Sequence, residues 1–411
     1  MMSGSLAGSS AEQELRVHLG NTVAEVFSAT PQHVPREAVL AAADIARSRN
    51  VDCVISVGGG TQIDAAKAVA MCLAADVTDD AGFDRHRIRF TYPNTFVVPQ
   101  VPDAVVPHFA IPTTLSGAEN TDLVGITDMR TREKHTYRSP LLAPTAVVLD
   151  PAMTTTTPDW LWGASGIRAV DHAVESILSA GSTPVSDALC TEALELLNTN
   201  LAHSVRNPRD TDARLQCLLG AWLASFAITN SGVGLSHAIG HQLAAEFDIT
   251  HGVTSAIMLP HVIAFNARSI QEKAQRIASA FGRTIHPGIT AADAAHDAVR
   301  ELVTSVGVPA TISCAGGRRD ALPAIAAHVM LDHTISANPA PSPRATSSDY
   351  WRRHGNPCTS ALVAVTVSSS AYTAGFPPPY TTAGSARDGV AWELSPLEIN
   401  KSIIVEVAPR R

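Results

Sequence analysis

Val51-Asp52-Cys53-Val54-Ile55-Ser56-Val57-Gly58-Gly59-Gly60-Thr61-Gln62-Ile63-Asp64-Ala65-Ala66-Lys67 is the stretch on which the fold turns. Val51 to Val57 is short, apolar and valine-rich, which predicts a buried strand. Three glycines end it, and a helical pattern starts near Thr61. Upstream, Pro35 to Arg49 also reads as a helix, with Val39, Leu40, Ala43, Ile45 and Ala46 on one broad face. Helix, strand, glycine turn and helix is the rhythm of a parallel α/β sheet. Glycines let a backbone approach a phosphate closely, and the following helix offers free N–H groups and the positive end of its dipole. The spacing is not the GxGxxG dinucleotide fingerprint.

Working outward, strands are predicted at His108–Pro112 and Ala146–Leu149, with a hairpin over Gly125–Lys134 that turns at Asp128–Arg132. Ile111-Pro112-Thr113-Thr114-Leu115-Ser116-Gly117-Ala118-Glu119-Asn120 lies at the end of a predicted strand, where open α/β sheets bind ligands. After Asp150-Pro151 the pattern turns helical, with Thr157 and Pro158 as an N-cap and N1 pair. Helices are predicted at Gly163–Ala180, Val185–Leu201, Asp212–Thr229, Leu235–Phe247, Ser269–Phe281, Ala291–Val306 and Arg319–Met330. The end of the chain is rich in Pro, Ser, Thr and Ala; Leu362–Val367 and Ile403–Val407 there read as strands without an obvious partner. The expectation is an α/β domain over residues 1–152, an all-α domain over 153–341 and an irregular tail over 342–411.

A chain of 411 residues suits two or three domains, and 45% hydrophobic residues exclude global disorder. A net charge of −8 without a basic block argues against nucleic-acid binding. No apolar run reaches the ~18 residues a membrane helix needs. Met1 to Ser10 lacks the basic and apolar segments of a secretory leader, so a cytoplasmic protein is expected. The six cysteines form no CxxC pair and read as small buried hydrophobes.

His237 and His241 share a helical face by their i, i+4 spacing, and His251 follows ten residues later. His172 lies on a separate helix, with Arg168 one turn before it. Such a set points to metal ligation or proton transfer. His261, after Pro260, reads as structural.

The glycine motif, Pro112-Thr113-Thr114, Asp150-Pro151, the Gly166–Glu175 helix and His237-x3-His241-x9-His251-Gly252 occur in that order. Together they resemble the iron-containing alcohol dehydrogenase superfamily over roughly Leu19 to Pro341. The resemblance implies a dinucleotide-binding α/β domain, an α-helical domain of the dehydroquinate synthase-like type, and an active site between them. It places Gly58, Gly59, Gly60 and Thr61, with Asp64 of the same motif, at the cofactor, Thr113 and Thr114 along the nucleotide cleft, and Lys134 near the cofactor. His172, His237 and His251 fall on three metal-ligand positions, and His241 falls near nicotinamide and substrate.

The departure from the family pattern is Arg168, which stands where metal-dependent members carry an aspartate. A guanidinium repels a divalent cation and does not shed its proton. Asp171 lies about 100° round the helix from His172 and cannot replace the missing carboxylate. Loss of that aspartate is a feature of the maleylacetate reductase branch, which works without metal, and Gly117 to Thr154 is similar to it as well. The resemblance then implies reduction of maleylacetate to 3-oxoadipate with NADH or NADPH, a dicarboxylate substrate and a homodimer. Arg168 is expected to bind an anionic group, or else to pair with Asp171 or Glu175, and His241 or His172 to donate a proton. The competing expectations are an iron or zinc alcohol dehydrogenase and a non-catalytic member. The second is motivated by the family's strand, glycine segment and strand, which have no counterpart ahead of Ser3–Ser9.

Overall fold

The computed structural model describes residues 1–91, 95–102, 105–131, 133–329, 332–339 and 403–406. Helices α1 (Ser10–Leu19) and α2 (Arg36–Ser48) precede strand β1 (Val54–Gly58), which runs through the glycine turn into α3 (Gly60–Ala74). A short α4 (Asp80–His86), a small hairpin of β2 (Arg89–Thr91) and β3 (Thr95–Val97), and β4 (His108–Pro112) follow. The hairpin of β5 (Leu123–Asp128) and β6 (Glu133–Arg138) leads to β7 (Ala146–Leu149). Strands β1, β4 and β7 are parallel neighbours, with Val54 opposite His108 and Phe109 opposite Ala146. Their carboxyl ends carry the glycine turn and the Thr113–Asn120 loop, which brings the two motifs side by side.

Several elements differ from expectation. β1 starts at Val54 rather than Val51. The polar segment α1 has no clear apolar face and is not legible as a helix; Ser9 caps it by accepting from the Glu12 N–H. Residues Met1 to Ser3 pair along β1: Val57 N–H donates to Met1 O and Ser3 N–H to Val57 O, both at 2.9 Å. The Met1 ammonium donates to Ile55 O at 2.7 Å. Strand β8 (Ile403–Glu406) has a partner after all, antiparallel β7, with Val147 opposite Val405. Leu362–Val367 lies outside the described residues.

The helical part consists of α5 (Asp159–Leu178), α6 (Pro184–Arg206), α7 (Thr211–Ser231), α8 (Leu235–Phe247), α9 (His251–Asn266), α10 (Gln271–Ala280), α11 (Ala291–Ser305) and α12 (Leu322–Val329). Helix α9 was not expected. It contains Pro260 and is buried on nearly every side, so it shows no amphipathic period. Helix α5 is the axis of this part and is likewise almost wholly buried. Its Trp162 is fully buried and donates to Ser204 Oγ at 2.9 Å, which satisfies the indole N–H. The start of α5 also departs from expectation: Pro158 is the cap, and the Thr157 hydroxyl donates instead to Thr113 O at 2.7 Å. That bond ties the first turn of α5 to the polar loop after β4.

Cys72, Cys190 and Cys217 are buried as expected, but Cys53 is half-buried and Cys314 is exposed; Cys358 lies outside the described residues. Among the described residues no single helix is long and apolar enough to cross a membrane.

Candidate active site

One end of the candidate site is built where α3 begins. Gly59 caps the helix without any side-chain hydrogen bond. Added Cβ atoms at Gly59 and Gly60 would lie 3.0 Å from Thr114 Cγ2 and Ser116 Oγ, so side chains there would crowd the second loop. The Thr113 N–H donates to Gly58 O at 2.9 Å, and the Leu115 N–H to Ser165 Oγ on α5 at 3.1 Å. Gly117 has φ 77° and sits beside His172, where an added Cβ would collide with Ser225 Oγ on α7. The loop thus runs from the glycine turn to the histidines. An open helix N-terminus behind bare glycine backbone fits the pyrophosphate of a dinucleotide.

Asp64 and Lys134 meet at the hairpin. Asp64 Oδ2 accepts the Gly125 N–H at 3.3 Å, and Lys134 lies across Gly125 so closely that a Cβ there would collide with it. Burial pushes the Asp64 carboxyl up while Lys67 and Lys134 pull it down. Protein crowding lowers the Lys134 ammonium and Asp64 raises it.

The histidines come together from three helices. The His172 and His237 rings stack at 5.2 Å between centroids. His237 meets His241 edge-on at 6.2 Å, and His241 meets His251 at 5.7 Å. Gly252 makes this possible, because a Cβ there would collide with the Ala164 carbonyl; its absence lets the first turn of α9 dock on α5. Burial holds His172, His237 and His251 well below the ordinary histidine range, and the Arg168 charge adds to this in each. All three imidazoles are therefore neutral near pH 7. One nitrogen of each, His172 Nδ1, His237 Nε2 and His251 Nδ1, is buried without a hydrogen-bond partner among the described residues.

Behind the cluster lies a polar layer. Arg168 Nη1 donates to Ser255 Oγ at 3.1 Å and lies 3.6 Å from Asp171 Oδ2. Asp171 Oδ2 also accepts from Ser255 Oγ at 2.5 Å and Ser236 Oγ at 3.0 Å. Glu175 accepts from the backbone N–H groups of Gly234, Ser236 and His237 at 2.8, 2.7 and 3.3 Å, capping α8, which has no side-chain cap of its own. The same carboxylate takes His237 Nδ1 at 2.7 Å. Burial pushes both carboxyls up, and Arg168 and these hydrogen bonds oppose it. His261 lies outside the cluster, its imidazole lowered by burial to about 4.

Three participants were not legible as site residues. Lys67 is completely buried and donates to Ala118 O at 2.5 Å, Thr121 O at 2.7 Å, Thr121 Oγ1 at 3.1 Å and Leu123 O at 2.9 Å. Glu119 is buried, with its carboxyl pushed up to about 7 by desolvation. Asp332, far along the chain, accepts from His241 Nδ1 at 2.8 Å. Lys67 and Glu119 stood inside motifs already in view, but nothing local singles out Asp332.

Comparison with known proteins identifies the family. A model described as iron-containing alcohol dehydrogenase matches residues 2–151, and one for the C-terminal part of the Fe-containing alcohol dehydrogenase family matches 163–359. The NAD-dependent methanol dehydrogenase of Bacillus methanolicus is 31% identical over 302 residues, covering 72% of this chain and 75% of that one. The maleylacetate reductase of Sphingobium indicum is 30% identical over 337 residues, 82% of each chain. The crystal structure of maleylacetate reductase from a Rhizobium species superposes with a TM-score of 0.67 at 25% identity, covering 89% of this chain and 87% of that one. The chain belongs to the iron-containing alcohol dehydrogenase family, with maleylacetate reductases among its relatives, and is an NAD(P)-dependent oxidoreductase.

Proposed function

We propose that the chain reduces the C=C bond of maleylacetate with NADH or NADPH, without a bound metal, to give 3-oxoadipate in the breakdown of aromatic compounds. The observation that carries this reading is Arg168 beneath the histidine cluster. Each of the three rings leaves one nitrogen orphaned, but His172 and His251 do not join His237 in a set of closely grouped ligand atoms, and Arg168 places a guanidinium whose charge acts on all three rings. A divalent cation entering there would meet that charge, and the two α5 carboxylates nearby, Asp171 and Glu175, face His237 Nδ1 rather than its orphaned Nε2. Asp171 Oδ2 is engaged by two serine hydroxyls and Arg168, and Glu175 by three backbone N–H groups and His237 Nδ1, so these contacts commit both carboxylates to the polar layer behind the rings, and the guanidinium weighs against a cation.

The same charges suit a dianion. Arg168 and Lys134 bracket the cleft and attract the carboxylates of a dicarboxylate. Gly58, Gly59, Gly60, Thr61, Thr113 and Thr114 hold the dinucleotide, which supplies hydride when bound. Hydride adds to the carbon β to the ketone, the C=C pair shifts towards the carbonyl, and an enolate forms. Arg168 and the neutral imidazoles stabilise the enolate oxygen. A proton then goes to the carbon between, so one hydride and one proton have entered. His172 is held neutral by burial and by Arg168, so it is a poor acid; the donor is the more exposed His241. The enzyme acts as a homodimer and has no nucleic-acid or membrane partner.

The test follows nicotinamide absorbance with maleylacetate, with and without a strong chelator. Turnover indifferent to chelator supports the reading. Turnover abolished by chelator and restored by iron or zinc favours a metal-dependent alcohol dehydrogenase, the reading that the orphaned nitrogens and the methanol dehydrogenase relative recommend.

A further inference from the structure

Of the four clustered histidines, His241 is the one paired with a residue from the far end of the helical part. Its Nδ1 is 2.8 Å from Asp332 Oδ2. Asp332 is itself held: its other oxygen, Oδ1, accepts from the Thr334 N–H at 3.0 Å and the Thr334 hydroxyl at 2.8 Å, capping the turn His333–Ala337. An ionised carboxylate only accepts, so the ring nitrogen facing it carries the proton. The opposite nitrogen, Nε2, is then free of that bond, and the side chain is about one-third exposed, at 36%. His237 makes a similar bond through Nδ1 to Glu175, but its own Nε2 is buried, and the residue is only 3% exposed. His241 is the paired imidazole that a substrate can reach.

We propose that Asp332 is a positioning residue of the reaction: it holds the His241 ring in the Nδ1–H tautomer, so that Nε2 is the atom that delivers the proton to substrate. This rests on His241 being the proton donor, as above. An imidazolium that releases its Nε2 proton becomes the neutral Nδ1–H ring that Asp332 already favours. No second proton shift or ring flip is needed. Asn in place of Asp presents an N–H to Nδ1 and so favours the opposite tautomer, with Nε2 protonated and no longer acidic.

The experiment is a long-range proton–nitrogen spectrum of the histidine-labelled full chain, assigned with His241→Gln, alongside kinetics and NADH titration. The wild-type His241 is expected as the Nδ1–H tautomer; an Nε2–H ring would overturn the proposal without any variant. In Asp332→Asn the tautomer is expected to switch and turnover to fall about 10²-fold or more, with NADH affinity kept within about twofold. Asp332→Glu keeps a carboxylate and should keep the tautomer. The double variant Asp332→Asn/His241→Gln should be no slower than His241→Gln alone. Multiplicative losses in the double variant, or an unchanged tautomer in Asp332→Asn, would sink the idea. A tautomer that switches in a protein that never reduces maleylacetate would uphold the Asp332–His241 pairing and discard the substrate.

Discussion

Arg168 is the residue on which the proposed function turns. It was legible in the sequence because a single position departs from an otherwise ordered motif set, one turn before His172 on the same face of α5. Its surroundings were not. The guanidinium is backed by Asp171 and Ser255, so the salt bridge considered from sequence is present, at 3.6 Å, on one nitrogen. No further hydrogen bond of that guanidinium occurs among the described residues, which leaves its other nitrogens for an anion. Arg168→Ala should raise KM for the dicarboxylate by about 10- to 100-fold, the worth of a charge-assisted hydrogen bond. NADH affinity, measured by fluorescence titration, should barely move; an unchanged KM would refute the anion role. Arg168→Asp should let the three orphaned imidazole nitrogens bind zinc, read as metal content after dialysis.

At the scale of elements, the decisive link is Lys67. Helix α3 was predicted from the glycine turn, but its buried lysine fastens the loop 118–123 to that helix through three carbonyls and a hydroxyl. Burial lowers the ammonium, and Asp64, Glu119 and Asp122 counter it. Lys67→Met should leave those carbonyls orphaned at a cost of about 1–3 kcal/mol, read as a lower urea midpoint, and should weaken NADH binding because the segment it holds continues directly from Thr113–Gly117. Gly117→Ala attacks the same loop from its other end. At φ 77°, with Ser225 Oγ in the way, the substitution should cost about 1–3 kcal/mol in strain alone and should displace His172. Calorimetry gives the first, and loss of turnover the second. A Gly117→Ala variant as stable and active as wild type would mean that the loop adjusts freely.

The whole molecule carries buried titratable groups whose placement makes stability depend on pH. Glu119 holds its proton up to about 7, against an ordinary 4.5. The folded chain therefore retains a proton that the unfolded chain releases between those values, and stability falls as pH rises through that window. Glu119→Gln removes the effect. It should be more stable than wild type at about pH 8, with the gain vanishing towards about pH 4. His108, bonded to Ser56 Oγ at 2.8 Å inside the sheet, is depressed to about 3 from 6.5. Here the unfolded chain binds the extra proton, so stability is lost as pH falls through that range. Thermal midpoints across pH for wild type, Glu119→Gln and a His108→Asn variant check both slopes; equal gains at all pH values would show that neither group titrates as described. The two parts of the molecule also touch through His33 Nε2 and Asp248 Oδ1 at 2.9 Å. Asp248 is 81% exposed, and such a pair is worth at most about 1 kcal/mol.

Local pattern determined a good deal of this protein by itself. The parallel strands, the glycine turn, most helices of the second half and the shared face of His237 and His241 follow from periodicity and spacing over a few turns. Arg168 followed from one position in a motif. Only the tertiary structure decided the rest. Helix α9 escaped because a helix buried on all sides has no polar face to set its period. The β7–β8 pairing escaped because ladder bonds join backbones and leave no local mark in composition. Thr157 bonded the loop after β4 instead of capping α5, Lys67 found its carbonyls, and Asp332 found His241. Each is a polar group removed from water, and its partner is set by which distant segment packs against it, which no short window of sequence contains.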